Sequence, residues 1–395
     1  MSGSNILLPK TEDGYCLITL KGNGKMLKKS LKRLTAMVVI VSMFLMTAAE
    51  AFAKETGADD TSGIYIATLP VPEEAISYAQ TSVGGMIQDL YDMENVTVGQ
   101  PFTVEGHFTD LYYFLIFSKE ELVGYYRVCE TDDGYTGIFS ENSELINGFK
   151  NIEALTDSSS PASIIVGDYE DIYAVINGNV ICILEDYAGN TTELANGEVA
   201  ACSEGCDYQI VDAAEGIELA AAASAVSSNT YKYLNIEVKE TQGSEPWCAA
   251  YVTAAICRYV TGKSSITAST IMKYFYPNLD SSELKEKSLS RSKVIAYGES
   301  LGLSPKLKDG RLTWSKVKSE INNDRPIYFA FENLSDSSIS HAMVCLGYHT
   351  NSGNHFYLVW NPWGTSFERV YTSTYIYTTS CGDQYKYYKT IYNWG

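Results

Sequence analysis

Apolar positions along the chain change their spacing twice. Near the start they form one uncharged block from Leu34 to Ala49, preceded by Lys25, Lys28, Lys29, Lys32 and Arg33 and followed by Ala51-Phe52-Ala53. From Pro72 to about Asp92 they recur at helical intervals. Proline suits the first helical position, and Glu73 and Glu74 suit its positive dipole end. From Val96 to about Asp212 the pattern shortens to β-like runs: Leu111–Phe117, Leu122–Cys129, Ser163–Val166, Ile172–Ile176 and Val180–Leu184. Asp133-Gly134 and Asn177-Gly178 between such runs predict tight turns. After Tyr231 helices come first, over Trp247–Val260, Thr267–Phe275, Ser292–Leu301 and Thr313–Asn322. Thr261-Gly262 closes the first of them. Strands follow over Pro326–Phe331, His341–Tyr348, His355–Trp360 and Tyr385–Ile391. The predicted class is α+β: a helical lobe and an antiparallel β lobe with a cleft between them, preceded by a smaller β-rich unit.

Charge marks the same division. Residues 54–230 hold four basic residues (Lys54, Lys119, Arg127, Lys150) against 31 acidic ones, a net of −27, whereas residues 231–395 carry +4. Small and polar residues from Ala213 to Thr230, including Leu219-Ala220-Ala221-Ala222-Ala223, read as a linker where the sign flips. The expected organisation is a leader over 1–53, an acidic domain over 54–218, a linker and maturation region over 219–230, and a C-terminal domain over 231–395. The overall charge of −19 argues against nucleic acid as a partner.

The basic start, short apolar stretch and A-x-A site describe a secretory signal cut after Ala53, with Met26 the better start. The expected product is exported and free of the membrane after cleavage. No two cysteines form a C-x-x-C pair and the four histidines are scattered, so neither metal nor cofactor is expected. Cys202 and Cys206 could pair in a loop or remain independent thiols.

Three stretches carry chemistry. Cys248 stands where a loop enters the first helix of the C-terminal domain, and unpaired helical N–H groups stabilise a thiolate there. Gln242, six residues earlier, could fold its amide back to share an oxyanion with the Cys248 N–H. His341 opens an apolar strand and can present its ring to the cleft, whereas His349 and His355 flank a turn and read as surface residues. His107 lies in the acidic domain, far in sequence from any nucleophile. Asn361, after the strand ending at Trp360, can fix the tautomer of His341, and Trp363 can cover that hydrogen bond.

In the order Gln–Cys–His–Asn these signals resemble a papain-like cysteine peptidase, and more narrowly the staphopains, secreted bacterial enzymes. The resemblance rests on Thr241-Gln242-Gly243, Trp247-Cys248-Ala249-Ala250-Tyr251, Ile271–Leu279, Ser304-Pro305-Lys306-Leu307, His341-Ala342-Met343-Val344, Trp360-Asn361-Pro362-Trp363 and the tail Tyr385–Tyr392. It spans about residues 238–395. Ala250 departs from it, since staphopains tend to carry Gly there. The resemblance implies a two-lobe peptidase acting on protein or peptide substrates. It also implies a zymogen in which residues 54–218 act as an intramolecular inhibitor. Two other readings share these residues: an acyl-transferring or narrow peptide-processing enzyme, and a secreted binding protein on a peptidase fold.

Overall fold

The computed structural model describes residues 63–106, 111–132, 134–167, 171–185, 207–219, 230–351, 354–372 and 376–395. The leader with Met26, His107, Asp133, Cys202, Cys206 and most of the expected linker lie outside the described residues.

The elements follow in order. β1 (Tyr65–Thr68) leads to α1 (Glu73–Ile87), then β2 (Val96–Val98), β3 (Phe102–Thr103), β4 (Leu111–Ser118), β5 (Glu121–Thr131) and β6 (Gly134–Ser140). Next come α2 (Ser143–Glu153), β7 (Ser163–Val166), β8 (Ile172–Ile176), β9 (Asn179–Leu184) and β10 (Gln209–Asp212). The C-terminal part begins with β11 (Thr230–Tyr233) and continues through α3 (Cys248–Thr261), α4 (Ala268–Phe275), α5 (Ser281–Lys285), α6 (Arg291–Ser300), β12 (Lys306–Asp309) and α7 (Trp314–Asn322). It ends with β13 (Ile327–Asn333), β14 (Ser340–Asn351), β15 (Asn354–Trp360), β16 (Phe367–Tyr371), β17 (Ile376–Thr378) and β18 (Gln384–Tyr392).

Local chemistry explains the less obvious elements. Asn177 and Gly178 both have positive φ, 50° and 77°, the geometry of a two-residue hairpin turn between β8 and β9. α2 was not anticipated from the sequence, because Asn147-Gly148 interrupts a weak helix former. It forms because the Asn142 side chain accepts from the Glu144 and Leu145 N–H groups, and Leu145, Ile146, Phe149 and Ile152 bury one face. Glycine is required at 148, where a Cβ would lie 2.2 Å from the Ile183 carbonyl oxygen.

Among the described residues the largest sheet has 13 strands and runs β12-β18-β13-β14-β15-β16-β6-β5-β4-β2, with β3, β11 and β17 pairing alongside. It therefore crosses from residues 230–395 into residues 63–219. The crossing is the antiparallel pair β16–β6, with Glu368 opposite Ser140, Arg369 opposite Phe139 and Val370 opposite Ile138. Packing crosses with it. Ala79, Val83 and Met86 of α1 share a core with Tyr126, Phe139, Phe356 and Tyr371. At about 25 cal/mol per Å² of apolar surface, so many buried aromatic and aliphatic groups fasten the two parts firmly. A separate core fills the C-terminal part between α3–α7 and the sheet.

Candidate active site

α3 begins at Cys248, with Trp247 as an N-cap that makes no side-chain capping bond. The Ala250 and Tyr251 N–H groups go to the Trp247 carbonyl, which leaves those of Cys248 and Ala249 for the sulfur and whatever reacts with it. The helix ends at Gly262 in the left-handed conformation, φ 69°. Apart from the half-exposed cysteine, its first turns are buried, and it packs on β14 and β13. This packing sets the sulfur against the start of β14: Cys248 Sγ lies 3.9 Å from the Ser340 carbonyl oxygen, one residue before His341.

The strand register delivers Asn361. Val344 stands opposite Trp360, so the chain leaving β15 passes beside His341. Nε2 of His341 lies 2.9 Å from Asn361 Oδ1. A carbonyl oxygen accepts only, so Nε2 carries the proton and Nδ1 is the free lone pair. Trp363 stacks on the imidazole with ring centroids 3.8 Å apart, and its backbone N–H donates to the same Oδ1 at 3.2 Å. Trp363 thus covers the hydrogen bond as the sequence suggested. His341 is 3% exposed.

Desolvation disfavours charge on both members of the pair. Loss of water pushes the Cys248 thiol up to about 11, against the pull of the Ala342, Ala249 and Cys248 N–H groups. It pushes His341 down to about 4, although the Asn361 hydrogen bond opposes it. The helix N–H groups pull toward the thiolate, as expected at a helix start, and desolvation pulls the other way.

Gln242 is buried beside the same turn. Its amide nitrogen donates to the Glu245 carbonyl at 2.8 Å, its Oε1 has no hydrogen-bond partner, and its backbone N–H holds the Pro362 carbonyl at 2.7 Å. The loop that carries it is anchored by Glu240, which accepts from Arg258 at 2.7 Å and from the Ala268 N–H at 3.0 Å. Gln242, Cys248, His341 and Asn361 therefore come from a loop, a helix start, a strand start and a strand end that meet at one place. Among the described residues no group of three or more His, Cys, Asp or Glu side chains is placed to hold a metal.

Two neighbours were missed in the sequence. Asn361 Nδ2 donates to the Tyr377 hydroxyl at 3.1 Å, and that hydroxyl donates to Glu368 Oε2 at 2.6 Å. The available signal was Glu368-Arg369, two adjacent charges inside the otherwise apolar or aromatic run Phe367–Tyr371. His349 also corrects its reading as a surface residue. It is 1% exposed, with Nδ1 3.7 Å from Asp89, because α1 covers the end of β14. His355 is half-buried and stacks on Trp314 at 4.3 Å. A cavity of about 390 Å³ lies beside the site, lined by Asn142 and Glu144 from one part of the chain and by Asn361, Trp363 and Tyr377 from the other.

Residues 226–394 match the family described as Staphopain peptidase C47. Staphopain A of Staphylococcus aureus strain MRSA252 is 27% identical over 183 residues, covering 43% of this chain and 47% of that protein. An extracellular cysteine protease of Staphylococcus epidermidis is 26% identical over 164 residues, covering 40% of this chain and 94% of that protein. The match to Staphopain A thus spans about half the length of that relative. Residues 226–394 are thus similar to the staphopain peptidases.

Proposed function

We propose that the chain is a secreted cysteine endopeptidase made as a zymogen, with a two-lobe papain-like domain over 231–395 and a propeptide domain over 54–218. The observation that supports this most is the joint placement of Cys248 against the start of β14 and of His341 against Asn361. His341 Nδ1 takes the Cys248 proton as sulfur attacks the peptide carbonyl carbon. The imidazolium returns that proton to the leaving amine as the C–N bond breaks. Water, deprotonated by the neutral imidazole, then releases the acyl group and restores the thiol. The Cys248 N–H and the second amide hydrogen of Gln242 receive the oxyanion. The extracellular name of the Staphylococcus epidermidis relative supports export, and no described helix is long and apolar enough to cross a membrane.

As its own inhibitor, the acidic region would act through the continuous sheet and the roof it forms over the Asn361 side of the site. The test follows casein hydrolysis by the full chain after limited proteolysis. Cys248→Ala should abolish activity with unchanged circular dichroism, and Gln242→Ala should lower turnover by roughly 10²–10³. Hydrolysis that survived in folded Cys248→Ala would overturn the assignment.

A further inference from the structure

The hydrogen bonds behind His341 all point one way. His341 Nε2–H donates to Asn361, Asn361 Nδ2–H to Tyr377, and the Tyr377 hydroxyl to Glu368. Chains with a single direction polarise one another, so negative charge on Glu368 strengthens each acceptor back to the imidazole. The far oxygen of Glu368 is also paired. It accepts from Arg127 Nη2 at 2.6 Å, and both side chains are buried, with 1% and 9% exposed. Arg127 belongs to β5 and is also held by the Ser380 hydroxyl at 2.7 Å. It is one of four basic residues in the acidic region, and it is the one placed at this carboxylate.

We propose that Tyr377 and Glu368 are positioning residues that favour the protonated form of His341, and that Arg127, delivered by the acidic region, mutes them while that region is docked. This rests on the Cys248–His341 reading above. With Arg127 in place the Glu368 charge is cancelled and the active pair stays neutral. When Arg127 leaves, the uncompensated carboxylate acts through Tyr377 and Asn361 to stabilise the imidazolium, and with it the thiolate.

Few other groups there can blur this. Facing Arg127 and Glu368 are Tyr113, Tyr125, Tyr377 and Cys129. Burial raises all four, so they remain protonated near neutral pH. Arg127 stays a cation: burial opposes its charge, but Glu368 and the surrounding tyrosines outweigh it. Around His341 stand Asn361, Trp363, Cys248 and the Tyr385 ring at 5.9 Å. Tyr328 faces Cys248 and is likewise raised by burial.

The test is the pH dependence of Cys248 alkylation by iodoacetamide in the full chain, followed at the Cys248 peptide by mass spectrometry. Stabilising the imidazolium lowers the pH at which the sulfur becomes reactive, and one unit corresponds to about tenfold in rate below the midpoint. Arg127→Met should move the rise to lower pH by about one unit. Glu368→Gln, which leaves the Arg127 cation uncompensated, should move it to higher pH, and Tyr377→Phe added to Arg127→Met should erase the downward shift. The Arg127→Met/Glu368→Gln double variant leaves no buried charge unpaired and should return close to wild type, which keeps the test usable if Arg127→Met folds poorly. A purely structural role would shift Arg127→Met and Glu368→Gln in the same direction, or slow alkylation equally at every pH, and either result overturns the proposal. A downward shift that survives in Arg127→Met/Tyr377→Phe also overturns it, provided His341→Ala alters the profile. If His341→Ala leaves the profile unchanged, the underlying Cys248–His341 reading fails first.

Discussion

On one face of β16, Glu368 takes Arg127 and connects through Tyr377 to Asn361. On the other face, Arg369 takes Asp89 at 2.5 Å, and the contacts end at the Met86 carbonyl, Tyr233 and His349. Consecutive residues of a strand point to opposite faces, so one dipeptide presents both signs to the acidic region. Each pair is buried and each joins the same two parts of the chain. They differ in what lies behind them: a route of hydrogen bonds to His341 in one case, and hydrogen bonds that stop at Met86 and Tyr233 in the other. Similar buried ion pairs can therefore fasten a fold or report to a site.

The strongest way to break this comparison is to remove one partner on the face without the route. Arg369→Met leaves Asp89 buried without its cation and should cost about 3–5 kcal/mol of stability by denaturant unfolding. Adding Asp89→Leu should recover most of it, since a buried pair replaced by apolar groups is often near neutral. Neither variant should move the pH profile of Cys248 alkylation, and a shift as large as that of Arg127→Met would erase the distinction between the faces.

Acid sharpens the comparison next. Burial raises Asp89, but the hydrogen bonds and charge of Arg369 and the nearby His349 lower it further, so its net shift is downward. Its contribution is present above the free carboxylate value of about 4 and is lost as pH falls through the lower folded value. His349 is lowered by burial, against the charge of Asp89. An unfolded histidine gains its proton below about 6.5, so stability falls from that pH downward. Melting temperature should thus drop in two steps on acidification. His349→Phe should reduce the upper step, to which His341 also contributes, and Asp89→Asn should reduce the lower one.

The smallest effect lies away from β16. Glu105 is raised to about 7 by burial, which the Tyr208 hydrogen bond only partly offsets. A carboxyl shifted upward stabilises fully below its unfolded value and loses that contribution as pH rises through the folded one. Glu105→Gln should therefore raise the melting temperature at pH 8 and leave it nearly unchanged at pH 4. Without that variant, a loss of stability at alkaline pH would be misread as a property of the β16 pairs.

Much of this was legible in the residues, and the failures share a cause. Ser163–Val166 and Ile172–Ile176 appear with their expected ends, because β-branched runs and an Asn-Gly turn are local signals. α3 and its glycine cap were also local. Cys248, His341 and Asn361 were recognisable because each sits at the end of a regular element, where spacing reveals it. His349 was misread because its burial comes from α1, more than 250 residues earlier in the chain. Tyr377 and Glu368 carry no motif, and their role depends on the pairing of β16 with β6 and on the fold between them. Long-range packing supplied what periodicity could not. The charge split of −27 against +4 suggested attraction between surfaces. Among the described residues two buried pairs also join the parts, and salt screens these far less than surface charge.

The pairing of β16 with β6 has a consequence for solubility. Release of the acidic region would expose the backbone of β16 as the open margin of a sheet, a template on which another chain could add and begin to aggregate. Charged side chains are a common guard for such margins. Glu368 and Arg369 would then stand on both faces of the bared strand, where a second chain would have to desolvate one charge of each sign. The same two residues that receive the acidic region would protect the enzyme after it has gone.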